Sequence, residues 1–429
     1  MSEIKEIDYI YKSYLKAEPH LEWNTSDEYK RNPEFTKEIL NKLSGYNNIL
    51  VTGSKGKGSI SNFISSILNE YIKTGIYTNP HITNFNERFK INNEEISDED
   101  LKKYILKSEK YFDSIESHLN EKQFISPIGI QAAIALGYFN DNKTDFNIFE
   151  CGKGVKYDDI NNLNRSYAII STIFLEHTRE LGSTLEEIAG NKSYIIKNGE
   201  KCVYSSIQEK EVLNVLKNRA LNERVVLKVY GENFYAKNIR FSESGMIFDV
   251  VTDKNMYNDL NIKLLGVHQC YNAAVAIQFC EDYLGKIDLD VLKKALLNVK
   301  IYGRSEIINK DPFIILDAVI NRKSAEFLKK ILGELDFGKY NFIIGIPDDK
   351  DYMGVVKEVY DISNKIILTK THNPHYKFTS IQKDNLESQG YDILESDDIK
   401  DAMNMLKDSN IPLCILGTTS LITEVKSYF

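Results

Sequence analysis

Apolar and polar positions along this chain fall into short β-rich runs separated by longer helical patterns. The first run, Asn48-Ile49-Leu50-Val51-Thr52, passes through a glycine-rich turn into residues 59–71, so the pattern predicts the strand, loop and helix of an α/β unit. Runs at 146–149 and 167–171 are apolar and bounded by turn residues, as strands buried on both faces of a parallel sheet are. Glu150 and His177 then fall at or just beyond strand C-terminal ends, the edge on which open α/β sheets gather ligands.

From 225 to 264 the pattern changes to β-like alternation around Gly231 and Gly245. It predicts antiparallel hairpins forming a flap ahead of a helix that starts near His268. After Val299, strand-like runs at 313–316, 342–344, 366–369 and 413–416 alternate with helical segments, which implies a second, smaller α/β domain. The expected hinge is Lys300-Ile301-Tyr302-Gly303, dividing the chain into residues 1–299 and 300–429. No internal repeat or low-complexity tract interrupts this order.

Composition narrows the function classes. A chain of 429 residues exceeds one ordinary core, and 42% apolar with 27% charged residues is the profile of a globular protein with a large interior. The net charge of -8 arises from acids and bases mixed along the chain, with no basic block to track a phosphate backbone. Nucleic acid is therefore not an expected partner. The start, Met1-Ser2-Glu3-Ile4-Lys5-Glu6, has no basic region followed by an apolar run, and no long apolar span follows, so neither secretion nor membrane insertion is expected. Cysteines 151, 202, 270, 280 and 414 form no CxxC pair and read as reduced cytosolic thiols. Scattered histidines give no zinc spacing. A cytoplasmic monomer acting on small molecules is expected.

The strongest candidate chemistry is Gly53-Ser54-Lys55-Gly56-Lys57-Gly58-Ser59, placed between strand and helix, where backbone N–H groups and the helix dipole can hold phosphates. Lys57 would reach outer phosphates and Ser59 could bind Mg²⁺. The spacing departs from a strict Walker A loop, so a plain glycine-rich turn stays open on these residues alone. Taken alone, Glu150 could equally be a solvated carboxylate, His177 a structural histidine, Lys192 an exposed helix lysine and Asp317 a helix N-cap.

The surrounding blocks give the loop its context. Thr78-Asn79-Pro80-His81, Phe85-Asn86-Glu87-Arg88 and Ile91-Asn92 precede Glu150-Cys151-Gly152, which runs through Asp158 to Asn161. Glu176-His177-Thr178 leads into 181–189 and Lys192; His268-Gln269, Asn272-Ala273, Gly303-Arg304, Asp317 with Asn321, and Asp349-Lys350-Asp351-Tyr352 follow. In this order they resemble the GTNGKGS, TSPH, FNER, ExGxGGxxDxTN, DHTxxLGxTLEEIA, HQxxNA, DGAHN and DKDY blocks of folylpolyglutamate synthases in the Mur ligase superfamily.

The resemblance implies a central P-loop-type ATPase domain with a mostly parallel sheet and a β-rich flap, then a smaller Rossmann-like domain. It implies an ATP-dependent amide-bond ligase that activates a carboxylate as an acyl phosphate and couples it to an amino acid, with folate and glutamate as default substrates. The loop 53–59 with Asn272, Arg304 and Asp317 would hold the nucleotide. Ser59, Glu150, His177 and a carbamylated Lys192 would help hold two Mg²⁺ ions, with Lys57, His177 and Lys192 counted as catalytic. His81, Arg88 and Asp158 would face substrate.

Several positions depart from the family pattern. An aromatic-acidic TFFE-like segment is replaced by Ser126-Pro127-Ile128-Gly129; Asn79, Val155, Ala318, Ile320 and His375 replace family serine, glycine, glycine, histidine and arginine, and Asn191-Lys192-Ser193 stands where Glu-Lys-Ala is common. An uncharged, less aromatic wall would stack a pterin poorly, so weak or absent turnover of tetrahydrofolate is expected, and better turnover of a smaller or less aromatic carboxylate. A paralogue using another carboxylate, or one that binds ATP without turnover, are the alternatives. A generic P-loop hydrolase would leave the second domain without a task.

Overall fold

The computed structural model describes residues 5–22, 26–81, 84–242, 245–373 and 376–429; His375 and Met1 to Ile4 lie outside the described residues. The first sheet has eight strands: β1 (Asn48–Thr52), β2 (Thr74–Tyr77), β3 (Phe89–Ile91), β4 (Glu94–Glu95), β5 (Phe146–Glu150), β6 (Tyr167–Ile170), β7 (Cys202–Ser205) and β8 (Leu227–Val229). Their order is β4-β3-β2-β5-β1-β6-β7-β8. Six are parallel, and β3 and β4 extend one edge antiparallel. Every residue of β1 and β5 is buried, because helices cover both faces. Alternate residues serve two cores, with Leu50, Phe149 and Ile170 on one side and Ile49, Val51, Ile148 and Ile169 on the other, as the two-residue period of a strand requires. The register sets Val51 beside Glu150 and Thr52 beside Ile170, so the ends of β1, β5 and β6 form one edge.

An antiparallel sheet of β9 (Tyr235–Ser242), β10 (Gly245–Val251) and β11 (Met256–Ile262) follows. The six-stranded sheet of the second domain contains β12 (Glu306–Lys310), β13 (Phe313–Asp317), β14 (Tyr340–Gly345), β15 (Ser363–Leu368), β16 (Leu394–Glu395) and β17 (Leu413–Gly417) in the order β12-β13-β17-β14-β15-β16. Only β12 runs antiparallel among them. Its faces again divide one apolar set in two, Phe342 and Ile344 against Ile343 and Ile415. The two-domain α/β architecture expected from the sequence is present.

Three local expectations shift. The run near 227 belongs to the main sheet rather than to the flap, because the helix Lys210–Glu223 acts as a crossover and returns β8 parallel to β7. The loop helix spans Lys57–Leu68 and so begins two residues before Ser59, directly after a left-handed Gly56. β15 starts at Ser363, ahead of the apolar run at 366, because its polar first residues still pair with Tyr340 and Asn341. Among the described residues no helix is long and apolar enough to cross a membrane.

Candidate active site

The loop after β1 is shaped by two glycines that other residues would strain. Gly53 has φ +133° and a Cβ there would lie 2.7 Å from the Ser171 carbonyl oxygen; Gly56 has φ +94° and a Cβ there would lie 2.7 Å from Asn272 Oδ1. The Ser54 and Lys55 amides both donate to the Thr172 carbonyl at 3.0 and 3.3 Å. The Ser54 hydroxyl donates to the Phe174 carbonyl at 3.2 Å. A fixed loop thus ends at a twelve-residue helix, whose first N–H groups have no intrahelical partner and favour an anion.

Two ammonium groups converge beneath this loop. Lys57 Nζ donates to the Gly53 carbonyl at 3.0 Å, and Lys192 Nζ donates to the same oxygen at 2.9 Å and to the Lys153 carbonyl at 2.6 Å. Lys192 also pairs with Glu176 at 3.2 Å and is fully buried. It is therefore not an exposed helix lysine. Its helix, Leu185–Ser193, is fixed by a capping box between Thr184 and Glu187. Burial, helped by the Lys57 charge, lowers the Lys192 pKa to about 8.

Glu150 ends β5 with its carboxylate against the loop helix. A Cβ on Gly58 would lie 3.4 Å from Glu150 Oε2, and the Asn79 amide donates to that oxygen at 3.4 Å. Burial raises its pKa, opposed by Lys57, Arg304 and Arg88. Ser59 is buried in the first helical turn. His177 adopts φ +48° at the start of Thr178–Leu181 and is exposed, with Glu176, Glu180, Lys192 and Lys153 as charged neighbours. Among the described residues no group of three His, Cys, Asp or Glu side chains could hold a metal ion by itself. A cation here would draw on phosphate oxygens as well, which suits Mg²⁺, a hard ion satisfied by few protein ligands.

The helix Val267–Leu284 delivers Asn272 onto Gly56, where its amide nitrogen donates to Gln269 Oε1 at 3.2 Å. From the second domain come the exposed Arg304 and the half-buried Asp317, whose Oδ2 accepts from the Ser305 amide at 2.9 Å and hydroxyl at 2.6 Å. Asp317 is not the cap of the following helix, Arg322–Leu335. Asn321 fills that role, accepting from the Ser324 amide, because Asp317 is still the last residue of its strand.

The three residues expected to face substrate are held differently. Arg88 donates from Nε to His81 Nδ1 at 2.9 Å and from Nη1 to Gln131 Oε1 at 2.6 Å, an oxygen shared with the Tyr77 hydroxyl at 2.9 Å. Burial and the Arg88 charge lower His81 to about 4, so it is neutral at physiological pH. Asp158 accepts from the Gly152 amide at 2.6 Å and the Ile160 amide at 3.0 Å, which makes it a turn cap.

Ser126 caps the helix Pro127–Asp141, and a Cβ on Gly129 would lie 2.6 Å from Thr36 Cγ2 and 2.7 Å from Asp159 Oδ1. No side chain fits at 129. The sequence reading missed Asp159, which accepts from the Thr36 hydroxyl at 2.6 Å and is raised to about 6 by burial. It also missed an open cavity of about 520 Å³ whose lining includes Tyr29, Arg31, Phe35, Lys122, Lys156 and Tyr157. No motif marks residues 28–35, in which two rings, two basic and two acidic side chains are interleaved.

The model of the Mur ligase middle domain matches residues 51–280. The dihydrofolate synthase/folylpolyglutamate synthase of Bacillus subtilis (strain 168) is 28% identical over 394 residues, covering 88% of this chain and 89% of that protein. The folylpolyglutamate synthase of Lacticaseibacillus casei is 25% identical, with coverage of 88% and 89%. Among solved structures, the folylpolyglutamate synthase of Thermotoga maritima has a TM-score of 0.83 at 25% identity, covering 98% of this chain and 97% of that one. Mycobacterium tuberculosis folylpolyglutamate synthase complexed with ADP has a TM-score of 0.86 at 21% identity, covering 99% of both chains.

Proposed function

The chain belongs to the Mur ligase family of ATP-dependent ligases, and from that premise we propose that it joins an amino acid to a ring-bearing carboxylate of the folate class, with glutamate as the default amino acid. The observation that carries this reading is the convergence of Lys57 and Lys192 on the Gly53 carbonyl, beside the buried Glu150. Amide formation from a carboxylate in water is uphill, so the carboxylate is activated first. One carboxylate oxygen attacks the terminal phosphorus of ATP and ADP leaves; the amine then attacks the acyl carbon, phosphate leaves, and the amine's proton is lost.

Phosphoryl transfer needs positioning and cationic stabilisation more than covalent help from the protein. The loop amides and helix N-terminus cradle the phosphates, Lys57 swings from the Gly53 carbonyl to the outer phosphate, and Asn272 holds the loop's curvature at Gly56. Arg304 and Asp317 reach the nucleotide from the second domain, and closure of the two domains excludes water from the acyl phosphate. Two Mg²⁺ ions would neutralise phosphate charge, with Ser59, Glu150, His177 and a carbamylated Lys192 as the protein groups nearest to hold them. His81 and Arg88 orient the acceptor. Asp158 acts from behind by fixing the turn between Gly152 and Ile160.

The cavity bordered by Tyr29, Phe35 and Tyr157 carries four basic side chains, Lys30, Arg31, Lys122 and Lys156, against two acidic ones, Glu28 and Glu34; rings to stack on and that basic excess suit a flat anionic substrate. Its aromatic surface stands in for the one missing at 126–129. The domains divide at 299/300, and the enzyme works as a monomer. Five buried free thiols suit the cytoplasm, and the dispersed charge suits small molecules over nucleic acid. Phosphate release from ATP across a panel of carboxylates and amino acids, with mass spectrometry of the products, tests the reading. ATP hydrolysis without an amide product would remove it.

A further inference from the structure

Lys55 crosses the cleft between the domains. Its backbone is fixed by the Thr172 carbonyl, and its ammonium donates to Ser324 Oγ at 2.5 Å in the first turn of Arg322–Leu335. The same ammonium stands 5.8 Å from the ring centre of Phe327, three residues further along that helix. Lys55 is exposed, whereas Ser324 is buried and has its amide held by the Asn321 side chain at 2.9 Å. The acceptor is thus immobilised from its own side, and the lysine reaches it from the phosphate loop. Ile320, just before the cap, brings no polar group to this junction. Between described residues, this is the one hydrogen bond that joins the chain before the hinge to the chain after it. Arg304 and Asp317 are both in electrostatic reach of the Lys55 ammonium.

We propose that Lys55 is a positioning residue, whose bond to Ser324 sets the second domain, with Arg304 and Asp317, over the phosphate loop. The proposal rests on the ligase reading only for what is being positioned; the bond between the domains stands apart from it. A single hydrogen bond across a partly exposed junction biases one arrangement over another by about threefold to tenfold. That is enough to tune how often the closed domains meet a bound nucleotide. Were Lys55 simply another phosphate ligand, its partner on the second domain would be irrelevant.

The test uses the full chain with spin labels at Leu221→Cys and Ile381→Cys, exposed positions on the first and second domains; the five native thiols are buried and leave labelling selective. Interdomain distance distributions and affinity for a non-hydrolysable ATP analogue are measured for the labelled parent, Ser324→Ala, Lys55→Met, their double variant and Lys55→Arg. Each single variant is expected to broaden the distances and weaken the analogue by about threefold to tenfold. The double variant should be no worse than Lys55→Met, and Lys55→Arg should stay near the parent. Unchanged distances in Ser324→Ala, or effects that multiply in the double variant, would overturn the proposal. A parent that fails to bind the analogue counts against the ligase reading alone, because the distance comparison still decides whether Lys55 and Ser324 set the domains.

Discussion

Lys57 and Lys192 donate to one and the same acceptor, the carbonyl oxygen of Gly53, at 3.0 and 2.9 Å. A carbonyl has two lone pairs and can accept both, but two cations so close gain by the arrival of an anion. Lys57 is the mobile partner, since Lys192 is also held by the Lys153 carbonyl and Glu176. Lys57→Ala should therefore lower ATP turnover by about 10²–10³-fold, the usual cost of one lost electrostatic donor. Its thermal unfolding should match the parent, because Lys192 still fastens Gly53. A variant with near-parental turnover would remove Lys57 from the chemistry.

Lys192 is expected to carry a carbamate. Only a neutral amine attacks CO₂, and a pKa lowered to about 8 leaves roughly a tenth of the side chain neutral at pH 7. The modified nitrogen keeps one N–H for a carbonyl, while the new anion offers oxygen to a cation. Protein equilibrated with ¹³C-bicarbonate should show a carbamate resonance that Lys192→Ala lacks, and short carboxylic acids should partly restore that variant's turnover. An absent resonance together with full activity of Lys192→Ala would refute the modification.

Glu150→Gln should shift the Mg²⁺ dependence of turnover to higher concentration, since an anionic oxygen at the loop edge becomes a neutral one of the same size. The fold should hold, because the Asn79 amide can still donate to the remaining oxygen. A Mg²⁺ titration superimposable on the parent's would mean that Glu150 is not a ligand.

The loop, the central strands and the placement of Glu150 were legible because their signals are local: β1 reads as a continuous apolar run and Gly53 and Gly56 punctuate it. The burial of Lys192 was not legible, since no local pattern says that a helix nine residues long turns its last lysine under a loop about 140 positions earlier. Gly129 and Asp159 show the same limit. Each looks like an isolated departure, and only the fold reveals that the glycine makes room for the aspartate. The parallel pairing of β8 was missed because its crossover helix, rather than its own residues, decides the direction.

Asp159 also supplies a pH prediction. Its pKa is raised from 3.8 to about 6 by burial, so the folded state holds a proton that the unfolded state releases between those values. Stability contributed by this group is present below about pH 4, falls as pH rises to about 6 and stays lost above it. Asp159→Asn keeps an oxygen for the Thr36 hydroxyl but cannot ionise. It should gain roughly 1–3 kcal/mol relative to the parent at pH 7.5 and much less at pH 4. Urea unfolding at both values reads the difference, and a gap that is the same at both would mean that Asp159 does not titrate in this range.

The choice of carboxylate is the prediction that the structure moves furthest. Residues 126–129 offer no aromatic wall, and on that ground tetrahydrofolate should be a poor substrate. Those residues form one wall only. The helix start at Ser126 is packed against Thr36 and Asp159, whereas Tyr29, Phe35 and Tyr157 border the open cavity with Arg31, Lys122 and Lys156. A stacked ring is worth on the order of 1 kcal/mol beyond its buried area, so truncating one ring should raise KM about fivefold and leave kcat nearly unchanged, the signature of lost uniform binding. We therefore expect measurable glutamylation of tetrahydrofolate, with KM raised in Phe35→Ala and Tyr157→Ala, and a lower kcat/KM for a carboxylate of similar charge without a planar ring. The ratio of kcat/KM values decides, since discrimination is differential transition-state binding. If a smaller, ring-free carboxylate is preferred and the two truncations leave its kinetics untouched, the chain is a Mur-type ligase for a non-folate acid and the cavity plays no part in choosing it.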